Sequence, residues 1–156
     1  MSSVENSVAL KTMTVEMNRL DDAFHFEALG GDRVPVHIDG AADIGGSHAG
    51  ARPMELILMG LGGCAAIDVI LILKKMKQIV ADFKIVVEGD RVAGATPAPF
   101  VALRLRFILR GQNLEQKKVE QAVRLSMEKY CSVTAMLEKS ATISWVVELL
   151  NFSSVS

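Results

Sequence analysis

Between residues 56 and 73 the chain is apolar on every side of a helix, interrupted by Asp68 and by three glycines, Gly60, Gly62 and Gly63. Pro53 suits the first helical position and Glu55 the positive end of the helix dipole. Lys74, Lys75 and Lys77 suit the opposite end, so the pattern predicts a helix over 53–77. A helix with no polar face is buried all round. Its interior glycines cost about 1 kcal/mol each relative to alanine, roughly 3 kcal/mol together. Close approach by another backbone or a ligand has to offset that cost. Any fold open to this chain must therefore wrap this helix. Asp68 ends an uncharged run of 12 residues, 56–67, whereas a membrane span needs about 20 apolar residues. On length the expectation is a helix buried in protein, with no membrane span. The positive mean hydropathy then means apolar surface buried against a partner.

The remaining segments alternate or repeat around this helix. Residues 12–17 place Met13, Val15 and Met17 on one face, and 24–28 alternate again. Asn18, Asp21 and Asp22 supply turn chemistry between them, which predicts a β-hairpin. A third strand falls at 34–38. Residues 40–50 carry Gly40, Gly45, Gly46 and Gly50 and read as a flexible loop. Strands follow at 83–92 and 100–109, joined by a loop over 93–99. Val119, Ala122, Val123, Ser126, Met127 and Tyr130 recur at helical spacing, giving an amphipathic helix over 115–130. Ser132 suits the cap of a short helix through Lys139, and 141–150 is a last strand. This order predicts an α+β protein of antiparallel strands with segregated helices. At 156 residues it reads as a single domain, 1–156, able to bury roughly two-thirds of its unfolded surface without a staple.

Seventeen basic against 18 acidic residues give a net charge of −1, which is not the footprint of a nucleic-acid binder. Residues 1–10 have no basic region ahead of an apolar stretch, so no signal peptide is read and a cytoplasmic protein is expected. Cys64 and Cys131 stand 67 residues apart, neither a CxxC motif nor metal-site spacing, and a reducing compartment argues against a structural disulfide. His25, His37 and His48 have no metal-ligand spacing either, so no metal is expected. Cys64 is either a small core residue or a nucleophile that needs a nearby cation or donor. Cys131, at a junction of two helices, is either packed or favoured as thiolate by a helix N-terminus. Asp68 lies on the face of Cys64, one turn on, where a carboxylate repels a thiolate. Glu55 precedes Cys64 by nine residues, about 2.5 turns and 13.5 Å of helix, on the opposite face. The two meet only through a neighbouring copy or a bridging side chain; otherwise Glu55 compensates the helix dipole.

Three stretches together resemble the OsmC/Ohr family. They are Gly-Ala-Arg-Pro-Met-Glu-Leu at 50–56, Leu-Gly-Gly-Cys-Ala-Ala-Ile-Asp-Val-Ile at 61–70 with Ile-Leu-Lys-Lys at 72–75, and Ser-Met-Glu-Lys-Tyr-Cys-Ser-Val at 126–133 followed by Met136 and Leu137. Within that family Pro-Met-Glu-Leu and Lys-Tyr-Cys-Ser-Val resemble the YhfA-like branch.

The resemblance implies an OsmC-like fold: antiparallel sheets wrapped around long central helices in an intertwined homodimer. That would bury the apolar helix against its symmetry mate. It also implies a thiol peroxidase for organic hydroperoxides with a role in oxidative or osmotic stress. By position, Cys64 matches the peroxidatic cysteine and Cys131 the resolving one. Glu55 matches a glutamate that orients an arginine beside the thiolate. Arg19, in the first hairpin, is taken as that arginine on location, with Arg33 and Arg52 as other candidates; the glycines that flank the arginine in Ohr proteins are missing here. Met59, Phe24 and Met136 would receive an alkyl tail. No cofactor is implied, only an external dithiol reductant, lipoyl-linked in some relatives. The alternative is a non-catalytic dimer that binds a hydrophobic small molecule or senses oxidants.

Overall fold

The computed structural model describes residues 8–152, so most of the N-terminal stretch read above lies outside the described residues. The chain divides into two compact units, Met1–Glu55 and Leu56–Ser156.

In the first unit, β1 (Glu16–Arg19), β2 (Phe26–Leu29) and β3 (Pro35–Ile38) form an antiparallel sheet in that order. Asp21 builds the first turn: its carboxylate accepts the N–H groups of Ala23 (2.9 Å) and His25 (3.2 Å). β1 and β2 start later than the alternation predicted. Met13, Val15 and Met17 are 89%, 63% and 52% exposed, so no buried face holds that alternation in register.

The glycine-rich segment after β3 is a loop closed by hydrogen bonds to one carboxylate. Asp39, 2% exposed, draws it closed. Its carboxylate accepts the N–H groups of Gly40 (2.7 Å), Ser47 (2.9 Å) and Ala49 (3.0 Å) and the Ser47 hydroxyl (3.0 Å). At Gly46 a Cβ would lie 1.9 Å from the Gly40 carbonyl oxygen, so glycine is required where the loop crosses itself. The hydrogen bonds, that from Ala49 foremost, lower the Asp39 pKa from 3.8 to about 2. A carboxyl depressed on folding stabilises the fold fully above its unfolded value and loses that contribution as pH falls through the folded one. The loop is therefore expected to open between about pH 4 and pH 2. Asp39→Asn should produce the same opening at neutral pH, with the Ser47 and Ala49 amides exchanging about tenfold faster or more, the scale of losing a hydrogen bond to a charged group. Hydrogen exchange resolved by residue reads this directly; unchanged protection in the variant counts against it.

α1 (Pro53–Lys75) runs 23 residues. By length and composition it is long and apolar enough to cross a membrane, which corrects the argument from run length: one internal Asp does not shorten a helix. Leu61, Ala65, Val69 and Leu73 recur every fourth residue and are buried, so this row belongs to the core of the second unit. β4 (Val80–Arg91) and β5 (Phe100–Gly111) form a long antiparallel hairpin. β6 (Thr142–Asn151) joins the other edge of β5 in parallel, giving the order β4-β5-β6. Parallel pairing departs from the all-antiparallel expectation. The chain between β5 and β6 is not a hairpin turn but two helices, and a connection of that length lets the strand return in the same direction. On β5, Leu103, Leu105, Phe107 and Leu109 point inward and are at most 1% exposed. Arg104 and Arg106 alternate with them, paired with Asp90 (2.5 Å) and Glu148 (3.1 Å).

Of the three helix glycines, close packing explains one. A Cβ on Gly62 would lie 3.0 Å from the Val87 side chain on β4, whereas Gly60 and Gly63 face open space. With Ile67 and Ile70, also exposed, these two glycines line the face opposite the core.

Candidate functional site

α2 (Gln116–Leu125) buries Val119, Ala122 and Val123. The predicted helix does not run on as one α-helix. At Ser126–Tyr130 it widens into a π turn, a local insertion common at functional positions. Ser126, buried in this turn, donates from its hydroxyl toward the Ala65 carbonyl (3.2 Å) and the Asp68 carboxylate (3.3 Å) on α1. The turn ends at Cys131, whose N–H bonds back to the Ser126 carbonyl (2.8 Å). α3 (Ser132–Leu137) follows. Its cap is Cys131 itself, not Ser132: the Thr134 N–H donates to Cys131 Sγ at 3.4 Å.

These elements bring Cys64, Asp68 and Cys131 together, with the two Sγ atoms and a carboxylate oxygen all within 4.8 Å of one another. Both cysteines are free thiols, Cys64 half-buried and Cys131 buried. Burial pushes the Cys131 thiol up, the Thr134 hydrogen bonds oppose this, and the nearby Cys64 adds to it. Burial is the largest influence, so the Cys131 thiol is shifted upward, away from the thiolate that a helix N-terminus would favour.

Of the three candidate arginines, Arg52 is the one paired with Glu55. Glu55 Oε2 accepts the Arg52 N–H (2.9 Å) and Oε1 accepts the guanidinium (2.9 Å). Those bonds, the backbone one first, lower the Glu55 carboxyl and raise the Arg52 guanidinium. The pair borders a cleft of roughly 270 Å³ with His48 and Gly50. Arg19 spends its guanidinium on its own turn, donating to the carbonyls of Ala23 (2.9 Å) and Asp22. Arg33 pairs with Glu16 (3.0 Å).

Phe24 packs over Gly40 and Gly45 of the Asp39 loop and is 41% exposed, while Met59 and Met136 are 57% and 71% exposed. His25 and His37, unremarkable by spacing, meet across strands at 2.8 Å, Nε2 to Nδ1. Two residues escaped the sequence reading. In the sequence Ser126 is indistinguishable from another helix-face position. The signal for Asp39 was an Asp immediately before a glycine loop, a residue that bonds nearby backbone N–H groups.

Fold and site together define an α+β thiol protein whose two cysteines, remote in sequence, converge between a core helix and a π turn. The family model for OsmC-like proteins matches residues 45–146. The chain belongs to the OsmC family. It is 45% identical to Protein YhfA of Escherichia coli (strain K12) over 98 residues, 63% of this chain and 72% of that protein. Among solved structures, a hypothetical protein from Aquifex aeolicus VF5 superposes with TM-score 0.79 at 31% identity, covering 92% of this chain and all of that one. An organic hydroperoxide resistance protein OsmC from Legionella pneumophila shares the fold at TM-score 0.66 and 17% identity, covering 90% and 99%.

Proposed function

We propose that the chain is a cytoplasmic thiol peroxidase that reduces organic hydroperoxides in an oxidative-stress role, working as a homodimer. The observation that carries this reading is the approach of the Cys64 and Cys131 sulfurs to within 4.8 Å. A disulfide between them requires the two sulfurs to close to about 2.05 Å. The fold shared with a hydroperoxide resistance protein supports it.

The chemistry divides between unequal thiols. The Cys64 thiolate attacks the terminal peroxide oxygen; the O–O bond breaks, the alkoxide leaves and takes a proton as alcohol, and Cys64 becomes a sulfenic acid. The Cys131 thiol then attacks the Cys64 sulfur. A disulfide forms and the hydroxyl leaves as water with the Cys131 proton. An external dithiol, lipoyl-linked or otherwise, reduces the disulfide by exchange, and no cofactor is involved. Arg52, whose guanidinium Glu55 holds at 2.9 Å, is preferred to Arg19 as the arginine partner of Glu55. The exposed Met59, Met136 and Phe24 side chains are apolar or soft enough to receive an alkyl tail.

The test is stopped-flow oxidation of the reduced protein by cumene hydroperoxide, followed by mass analysis without reductant. Fast oxidation and an intramolecular Cys64–Cys131 disulfide are expected. A bulk-thiol rate with no disulfide defeats the reading and favours the non-catalytic dimer.

The dimer has its own support. Gly60, Gly63, Ile67 and Ile70 form one open apolar face of α1 at three- and four-residue spacing. On an isolated helix Gly63→Ala stabilises by about 1 kcal/mol. Against a partner helix the added methyl overpacks by about 1–3 kcal/mol, about five- to 150-fold in dissociation constant. Sedimentation equilibrium should show the weaker dimer; an unchanged association constant removes this face from the interface.

A further inference from the structure

We propose that the reduced chain also binds one thiophilic divalent cation, with Cys64, Asp68 and Cys131 as its ligands and zinc as the best-fitting ion. The three donor atoms lie within 4.8 Å of one another. Around a tetrahedral zinc, with Zn–S near 2.3 Å and Zn–O near 2.0–2.2 Å, ligand atoms stand roughly 3.5–3.8 Å apart. Closing the set takes about an ångström of side-chain rotation. The donors come from rigid elements: Cys64 and Asp68 project from one face of α1 a turn apart, and the π turn delivers Cys131.

The surroundings suit a metal. The Ser126 hydroxyl, shared with the Ala65 carbonyl (3.2 Å), also lies 3.3 Å from Asp68 Oδ2, an outer contact of the kind that orients a ligating carboxylate. Among the described residues Asp68 has no ion-pair partner. Two sulfurs and a carboxylate so close would repel one another when deprotonated, and a dication removes that repulsion. Two sulfur ligands select a borderline or soft ion over calcium or magnesium, which take oxygen. Three protein ligands leave a fourth position for water, as in open zinc sites, and half-buried Cys64 and Asp68 give the ion access while Cys131 is 3% exposed. Both thiols are engaged in the complex, so the metal-bound and disulfide forms exclude each other. The binding itself stands whether or not the thiols turn over peroxide.

The experiment is an anaerobic titration of the reduced full-length protein with zinc against a chromophoric chelator, with cobalt as the spectroscopic probe. One equivalent per chain is expected, with a near-ultraviolet thiolate-to-cobalt band. Cys64→Ser and Cys131→Ser should lose it. Asp68→Asn should weaken it at least tenfold, since even outer partners act on that scale, with an unchanged melting curve without metal. The doubly substituted His25→Gln, His37→Gln chain should keep it, which separates the site from the histidine pair. No binding, full affinity in Asp68→Asn, or binding that follows the histidines overturns the proposal. Should Asp68→Asn fail to fold, alkylation of the wild-type chain decides: zinc must protect the half-buried Cys64 from iodoacetamide, and an unprotected Cys64 overturns the proposal.

Discussion

Cys64→Ser is expected to reduce peroxide consumption to the background of the buffer, a fall of at least about 10³-fold, because no other group supplies the nucleophile. A serine hydroxyl is not ionised near neutral pH and is a poor nucleophile toward a peroxide oxygen. The position is half-buried and the replacement nearly isosteric, so an unchanged melting curve should accompany the loss and separate chemistry from folding. Ferrous–xylenol assay of cumene hydroperoxide with a dithiol reductant present measures the rate. A variant as fast as wild type would end the peroxidase reading, since burial disfavours the Cys131 thiolate that would have to take over.

The elements that were legible in the sequence are those whose side chains sort onto two faces with different environments. β5 is one: Leu103, Leu105, Phe107 and Leu109 are buried between exposed arginines, and its predicted span is short by two residues at one end. The start of α1 is another, since Pro53 and Glu55 mark it. β1 was misplaced because both its faces are exposed, so alternation there encodes no core. The direction of β6 was not legible because strand periodicity is the same for parallel and antiparallel partners; only the length of the connection distinguishes them. The candidate site divides in the same way. Cys64 and Asp68 were placed on one face by helical spacing alone. That Cys131 joins them depends on a π turn, one extra residue in the helix, which leaves no mark in apolar periodicity. Arg52 was within reach of the sequence reading: it stands three residues before Glu55, next to the helix start, where an i,i+3 ion pair forms locally. Location in the hairpin favoured Arg19 instead, and the structure shows that residue satisfying its own turn.

Cys131→Ser is expected to separate the two halves of the reaction. The first half, attack by Cys64, needs nothing from Cys131, so the variant should release about one alcohol per chain in a rapid burst. The second half should then stall. In the wild type the Cys131 sulfur lies within 4.8 Å of the Cys64 sulfur, and on the proposed cycle that proximity is equivalent to a very high local thiol concentration, about 10⁵–10⁸ M in well-oriented systems. An external dithiol at millimolar concentration cannot match it, so steady-state turnover should fall by on the order of 10²-fold or more. The trapped species is a Cys64 sulfenic acid, which dimedone should label in the variant and not in the wild type. The burial that raises the Cys131 pKa fits this order of events. In the proposed cycle Cys64 is the attacking sulfur, and the Cys131 thiol carries the proton that leaves with hydroxide as water. Full turnover in Cys131→Ser, with no labelled Cys64, would show that the external reductant resolves the sulfenic acid directly. Cys131 would then owe its place beside Cys64 to packing, or to the metal, and not to the redox cycle.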